Sequence, residues 1–197
     1  MSAAIERRTL ALLLSINAAM FAVELGAGWF ADSMGLIADS LDMLADAGVY
    51  TLALFAVGST TRRKTHAAAA SGIIQLTLAG GAALETLRRA TQGSEPASLL
   101  MIVVSFIALC ANSACVFLLR KHRHGEIHMR ASWIFSTTDV QVNVGVILAG
   151  VLVRVTGSAW PDLAIGLAIC GLVLRGGIRI LKQASASYQS EPADGSN

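Results

Sequence analysis

Charge is what this sequence has least of. Only 14% of its 197 residues are Asp, Glu, Lys or Arg, where a soluble domain carries about a quarter. With 54% of residues hydrophobic, that shortfall excludes an ordinary water-soluble domain and points to a chain whose surface meets lipid. The net charge of +2 is too small to attract nucleic acid, and no basic run with interleaved aromatics is present. Cysteine is scarce as well. Cys110, Cys115 and Cys170 form no CxxC pair, and a spacing of five puts the first two about 140° apart on a helix. They cannot share a metal ion, and they read as small apolar packing residues.

What is present is a series of apolar runs. A bilayer core about 30 Å thick needs roughly 20 apolar residues of helix. Runs of that length fall at residues 9–30, 35–58, 67–89, 97–119, 131–154 and 160–182, and they are numbered here as spans 1 to 6. The breaks between them, "ADSMG", "TTRRKTH", "ATQGSEPAS", "RKHRHGEIHMR" and "TGSAWPD", are charged or carry Gly, Pro and Ser. The opening "ERRTLALLLSINAAMF" begins like a signal peptide, but its apolar run continues to Phe30, which is too long for one. The expected architecture is therefore all-α, an integral membrane bundle of six helices. Residues 1–8 form its N-terminus, 9–182 the membrane domain and 183–197 a short polar, mobile tail.

Lys and Arg set the direction of threading. With both termini cytoplasmic, the inner side collects Arg7, Arg8, Arg62, Arg63, Lys64, Arg120, Lys121, Arg123, Arg130, Arg175, Arg179 and Lys182. The outer side keeps Arg88, Arg89 and Arg154. Twelve against three predicts both termini inside. Small residues such as Gly145, Gly150, Gly166 and Gly177 fall within spans, where they let helices approach closely.

Against this apolar background the acids stand out. Span 2 reads "GLIADSLDMLADAGVY" and carries Asp39, Asp42 and Asp46 within about 60° of one helix face. At about 2.5–3.5 kcal/mol each in mid-membrane, three such residues cost roughly 8–10 kcal/mol, comparable to the stability of a whole domain. They must face the bundle interior. Span 5 places Asp139 and Asn143 one turn apart, and span 1 puts Asn17 and Glu24 on one stripe. No Lys or Arg occupies the middle of spans 1 to 5. The rise per residue sets Asp42, Asp46, Asp139 and Asn143 within roughly 6 Å of the midplane, with Asp39 and Glu24 nearer the outer face.

Uncompensated carboxylates at one depth require a counterion, either protons or a metal cation. A divalent cation must displace protons to enter, because its ligands have to be ionised. One site then serves two ions in alternation, which is the core of an antiporter. The expected metal set is Asp42, Asp46, Asp139 and Asn143, with Asn17, Glu24 and Asp39 as supporting or proton-path groups. Asn17 and Asn143 can also serve as hydrogen-bond glue between helices, and Asp162 as a charge partner at a helix start. An intramembrane aspartyl protease would also pair two acids, but neither a YD nor a GxGD signature is present. A sensor or accessory subunit that binds metal without moving it is the alternative to a transporter. No enzyme activity is expected.

These residues resemble the cation diffusion facilitator family. "NAAMFAVELGAGWFADSMGLIADSLDMLADA" is similar to its first two spans, with Asn17, Phe21, Glu24 and Gly28 on its pattern. "HMRASWIFSTTDVQVNVGVILAG" resembles the fifth span and "WPDLAIGLAI" the start of the sixth. The resemblance implies Asp42 and Asp46 as a metal-binding DxxxD pair and Asp139 as the span 5 acid. It further implies a homodimer that exchanges a divalent cation for protons and exports the metal. No permanently bound cofactor is implied; the transported ion would be Zn²⁺, Mn²⁺, Fe²⁺, Co²⁺, Ni²⁺ or Cd²⁺.

Two features depart from the family pattern. A His or Asp is usual one turn before the span 5 acid, and here that position is Phe135. Oxygen-only coordination would weaken the case for Zn²⁺ and admit Mn²⁺, Fe²⁺ or Co²⁺. The sequence also reads as a short form without the cytoplasmic domain usual after span 6, so dimerisation would rest on membrane helices. His122, His124 and His128 in one inner loop, and His66 at another, read as solvated or lipid-facing groups beside basic anchors, with a metal-gathering role as the alternative.

Overall fold

A computed structural model describes residues 3–56, 61–120 and 127–189. They form six helices: α1 (Ala3–Phe30), α2 (Met34–Ala56), α3 (Thr61–Gln92), α4 (Ser98–Leu119), α5 (Ile127–Thr156) and α6 (Trp160–Gln189). The helices run past the apolar spans where the flanking residues are good helix formers. Residues 183–189, which composition suggests to be a mobile tail, continue α6. His122 and His124 lie outside the described residues.

By length and composition, five helices can cross a membrane: Arg7–Phe30, Thr65–Gln92, Ser98–Leu119, Ser136–Thr156 and Trp160–Ala186. Their outward faces carry large apolar side chains, and Trp29, Phe30, Phe117 and Val155 are each at least 73% exposed. A surface of that kind belongs in hydrocarbon. The sixth helix, α2, holds three Asp in any membrane-length stretch, which removes it from the apolar set. It nonetheless crosses. Its start lies beside the end of α3, where Arg89 Nη1 donates to the Asp32 carbonyl at 2.9 Å, so α2 must traverse the bundle to reach the start of α3. The chain is a multi-pass integral membrane protein.

The helices associate most extensively as α1 with α2, α3 with α6, and α4 with α5. Among the described residues only α2 contacts all five other helices, which is how its acids escape lipid. Among the described residues α3 touches α2 and α6 alone. The largest apolar cluster joins Met34, Leu36, Ala38, Met101, Val146, Ile169 and Val173, and smaller clusters surround Tyr50 and Met43.

The α1–α2 corner fixes where α2 begins. Ser33 N donates to Gly28 O at 3.0 Å, and Asp32 turns the chain at φ +52°, a left-handed conformation that Asp tolerates better than most residues. Ser33 caps α2 by accepting Leu36 N–H on its hydroxyl at 3.2 Å. The next two orphan N–H groups, of Met34 and Gly35, go to Asp162 at the start of α6, at 2.7 and 2.9 Å. Asp162 lies in the first turn of α6, as expected of a charge partner for that helix start, and it also caps a different helix. Gly166 permits this approach, because a Cβ there would lie 2.9 Å from the Met34 backbone carbonyl.

Candidate metal centre

All the acids named from the sequence lie inside the bundle. Glu24 from α1, Asp39 and Asp46 from α2, Asp139 and Asn143 from α5, and Asn17 from α1 are buried. Asp42 is half-buried, the most accessible of the group. The three α2 acids share a face because they recur at spacings of three and four, and α5 presents Asp139 and Asn143 one turn apart for the same reason.

The cluster has two levels. In the outer one, Asn143 Nδ2 donates to Asp39 Oδ2 at 3.3 Å, and also to its own helix at Asp139 O, at 2.8 Å. Glu24 is buried beside them on α1, and neither of its oxygens has a hydrogen-bond partner. In the inner level, Asp46 and Asp139 each keep one buried carboxylate oxygen without a hydrogen-bond partner. The Tyr50 hydroxyl lies 3.5 Å from Ser136 Oγ, and Tyr50 follows Asp46 by one helical turn. Asn143, grouped by the sequence with Asp42, Asp46 and Asp139, is thus hydrogen-bonded to Asp39. Asn17 donates to Leu13 O at 3.0 Å, leaving its own carbonyl oxygen unpaired.

The unpaired atoms define the chemistry. On the three helices that carry the acids, α1, α2 and α5, the buried atoms without a hydrogen-bond partner are Asn17 Oδ1, both Glu24 oxygens, Asp39 Oδ1, Asp46 Oδ2, Asp139 Oδ2 and Asn143 Oδ1. Every one of them is an acceptor. Buried polar groups are ordinarily satisfied, and leaving one unpaired costs about 1–3 kcal/mol. A cluster made of acceptors is matched by something that supplies positive charge or donors. The described ion pairs all lie elsewhere, where Arg88 and Arg89 meet Glu85 and Asp32. Among the described residues no three His, Cys, Asp or Glu converge on a single metal position. The acids therefore form a loose, two-level group and not a closed shell.

Three polar residues of this interior were not singled out from the sequence. Tyr50 lies four residues after Asp46 and so on the same face, a spacing that could have identified it. Ser136 stands one turn before Asp139 on α5. Asn112 on α4 is fully buried and donates to Met43 Sδ at 3.9 Å, a partner no spacing reveals.

Residues 10–187 match the cation efflux transmembrane domain. The chain belongs to this cation efflux family, the cation diffusion facilitators. It is 26% identical over 191 residues to the zinc transporter ZitB of Yersinia pestis, an alignment covering 90% of this chain and 61% of that one. To the cadmium, cobalt and zinc/H(+)-K(+) antiporter of Bacillus velezensis it is 24% identical, covering 82% and 56%. To the metal cation efflux system protein CzcD of Cupriavidus metallidurans it is 25% identical, covering 83% and 56%. The chain spans about three fifths of the length of these curated relatives. As a cation efflux domain, it is grouped with proteins named as transporters and antiporters, not as enzymes.

Proposed function

We propose that this chain moves a divalent metal cation across the membrane in exchange for protons. The single observation carrying the reading is the set of buried acceptor atoms with no basic side chain among them. Asp42, Asp46 and Asp139 are the principal ligands, and Asn143 contributes its unpaired carbonyl oxygen. Asn17, Glu24 and Asp39 form the outer, supporting level along which protons reach the site. Asp42, partly exposed, is the ligand that meets the aqueous phase first.

A cation entering this group displaces protons from its ligands, and protons arriving later displace the cation. The carboxylates thus couple the two fluxes without a separate device. Oxygen donors alone favour no soft metal, so Mn²⁺, Fe²⁺ and Co²⁺ stand beside Zn²⁺ and Cd²⁺ as substrates. The distribution of basic residues supports both termini in the cytoplasm, and membership of the cation efflux family supports export as the working direction. Two copies associating through membrane helices complete the reading.

The test is a flux panel in proteoliposomes, with Zn²⁺, Mn²⁺, Fe²⁺, Co²⁺, Ni²⁺ and Cd²⁺, each with and without an imposed pH gradient. Transport should accelerate when protons are more concentrated on the side to which metal moves. Flux that ignores the gradient would remove the exchange mechanism. Metal binding without any flux would make the protein a sensor.

A further inference from the structure

The basic residues at the two ends of the bundle are treated differently. At the end where α2 starts, Arg88 and Arg89 are neutralised by Glu85 and Asp32. On the second half of α6, Arg175, Arg179 and Lys182 are exposed, and no described carboxylate pairs with them. Their spacing of four and three sets them on one stripe of the helix. That stripe borders a shallow depression of about 400 Å³ lined by Arg175, Ile178, Arg179, Lys182, Gln183 and Ala186, all from α6 itself.

Depth makes these charges costly. Counting 1.5 Å per residue from Trp160, a 30 Å hydrocarbon layer ends near residue 180. The Arg175 backbone then lies roughly 7 Å inside the layer, Arg179 at its edge and Lys182 just beyond. Arginine can reach for the interface, but Cα–Cβ bonds tilt towards a helix's N-terminus. On α6 that tilt carries the side-chain stems towards the membrane centre, against the escape.

Rotation offers no relief. At the same level α6 is pressed onto α3: a Cβ at Gly177 would lie 2.9 Å from Leu76 Cγ and 3.3 Å from the Gly72 carbonyl oxygen. Gln75 Nε2 donates to Val173 O at 3.1 Å beside this contact. Arg175 and Arg179 each stand about 160° round the helix from Gly177. The packed face therefore holds the charged face towards lipid. A second copy related by two-fold symmetry would set three cations against three, which disfavours a subunit contact there.

We propose that Arg175, Arg179 and Lys182 bind the phosphate of an anionic glycerophospholipid in the leaflet at the C-terminal end of α6. The phosphate is drawn down to the arginines, and its acyl chains lie along the neighbouring exposed apolar residues Ile178 and Leu172. Arg supplies paired N–H donors suited to phosphate oxygens, and Lys182 adds charge at the headgroup level. The site stands independently of which ion the carboxylates carry.

The experiment uses the full chain in neutral detergent, titrated with phospholipid in mixed micelles. Native mass spectrometry counts retained lipid, and thermal unfolding reports its effect. Phosphatidylglycerol should be retained and raise the melting temperature, and phosphatidylcholine should do neither. Each cation changed to Gln should weaken retention about five-fold, and the triple variant R175Q/R179Q/K182Q about a hundred-fold. Equal retention by native protein and triple variant would overturn the proposal. A melting shift from inorganic phosphate as large as that from phosphatidylglycerol would also overturn it, leaving a site for free anions. So would unchanged lipid retention with a changed oligomeric state by light scattering, which would mark a subunit contact. If the triple variant fails to insert, R179Q and K182Q are measured singly; five-fold losses support the site, and no loss in either removes it.

Discussion

Asp162 and Met34 are 128 positions apart, yet the Asp162 carboxylate accepts the Met34 backbone N–H at 2.7 Å. Its other oxygen takes the N–H of Gly35 and the hydroxyl of Ser33, at 2.9 and 2.6 Å. The start of α2 is thereby fixed to the start of α6, and with it the register of every acid that α2 carries. The carboxylate is fully buried, so no water replaces these bonds if it is lost.

Removing that anchor should be costly. Asp162→Ala leaves two buried N–H groups without acceptors, for a loss of about 3 kcal/mol. Asp162→Asn keeps one acceptor oxygen and should lose about half as much. Thermal unfolding in detergent distinguishes them. Equal melting temperatures for native protein and Asp162→Ala would show that the cap is idle.

Much of this architecture is legible in the sequence, and the limits are instructive. Six apolar runs predict six helices because hydrocarbon demands about 20 apolar residues for each crossing. Hydropathy marks the bilayer and not the helix end, so α3 begins at Thr61 and α6 continues to Gln189, beyond the apolar runs. The shared face of Asp39, Asp42 and Asp46 follows from helical periodicity alone. The pairing of Asn143 with Asp39 does not, since it depends on the axial offset of α5 against α2. Asp162 reads as a local helix partner because nothing in "WPDLAIG" reveals that α2 starts alongside it.

Tyr50 offers a test of the inner level. Its hydroxyl lies 3.5 Å from Ser136 Oγ, it stands one helical turn after Asp46, and it is completely buried in an apolar cluster. Tyr50→Phe keeps the ring and its packing while deleting the hydroxyl on the face that carries Asp46. Groups that orient a metal ligand change affinity by about 10–100-fold. Calorimetric titration should show a loss in that range with the melting temperature within a few degrees of native. Unchanged affinity would leave Tyr50 as packing.

Charge deletion should separate stability from transport. Asp46 and Asp139 each hold a buried carboxylate oxygen without a partner, so the metal-free protein bears their desolvation cost. With no metal bound, each carboxyl either holds a proton or leaves an acceptor unpaired, and an amide of the same shape relieves that cost, by about 1–3 kcal/mol. Asp46→Asn and Asp139→Asn should therefore raise the metal-free melting temperature while abolishing metal-dependent stabilisation and flux. Variants that melt lower yet still carry metal would contradict the assignment of these residues as ligands.

Two glycines on α6 should respond in opposite directions to one added methyl group. A Cβ at Gly166 would sit 2.9 Å from the Met34 carbonyl carbon and oxygen, which are backbone and cannot swing aside. Gly166→Ala must separate the helices just where Asp162 caps α2, at a cost of about 1–3 kcal/mol. At Gly171 a Cβ would meet nothing within 4 Å. Gly171→Ala gains only the higher helix propensity of alanine, about 0.5–1 kcal/mol in favour of folding. The pair shares a helix and a chemical change, so a difference in melting temperature isolates the α2–α6 contact. If Gly166→Ala melts no lower than Gly171→Ala, that contact yields, and the starts of α2 and α6 are free to part.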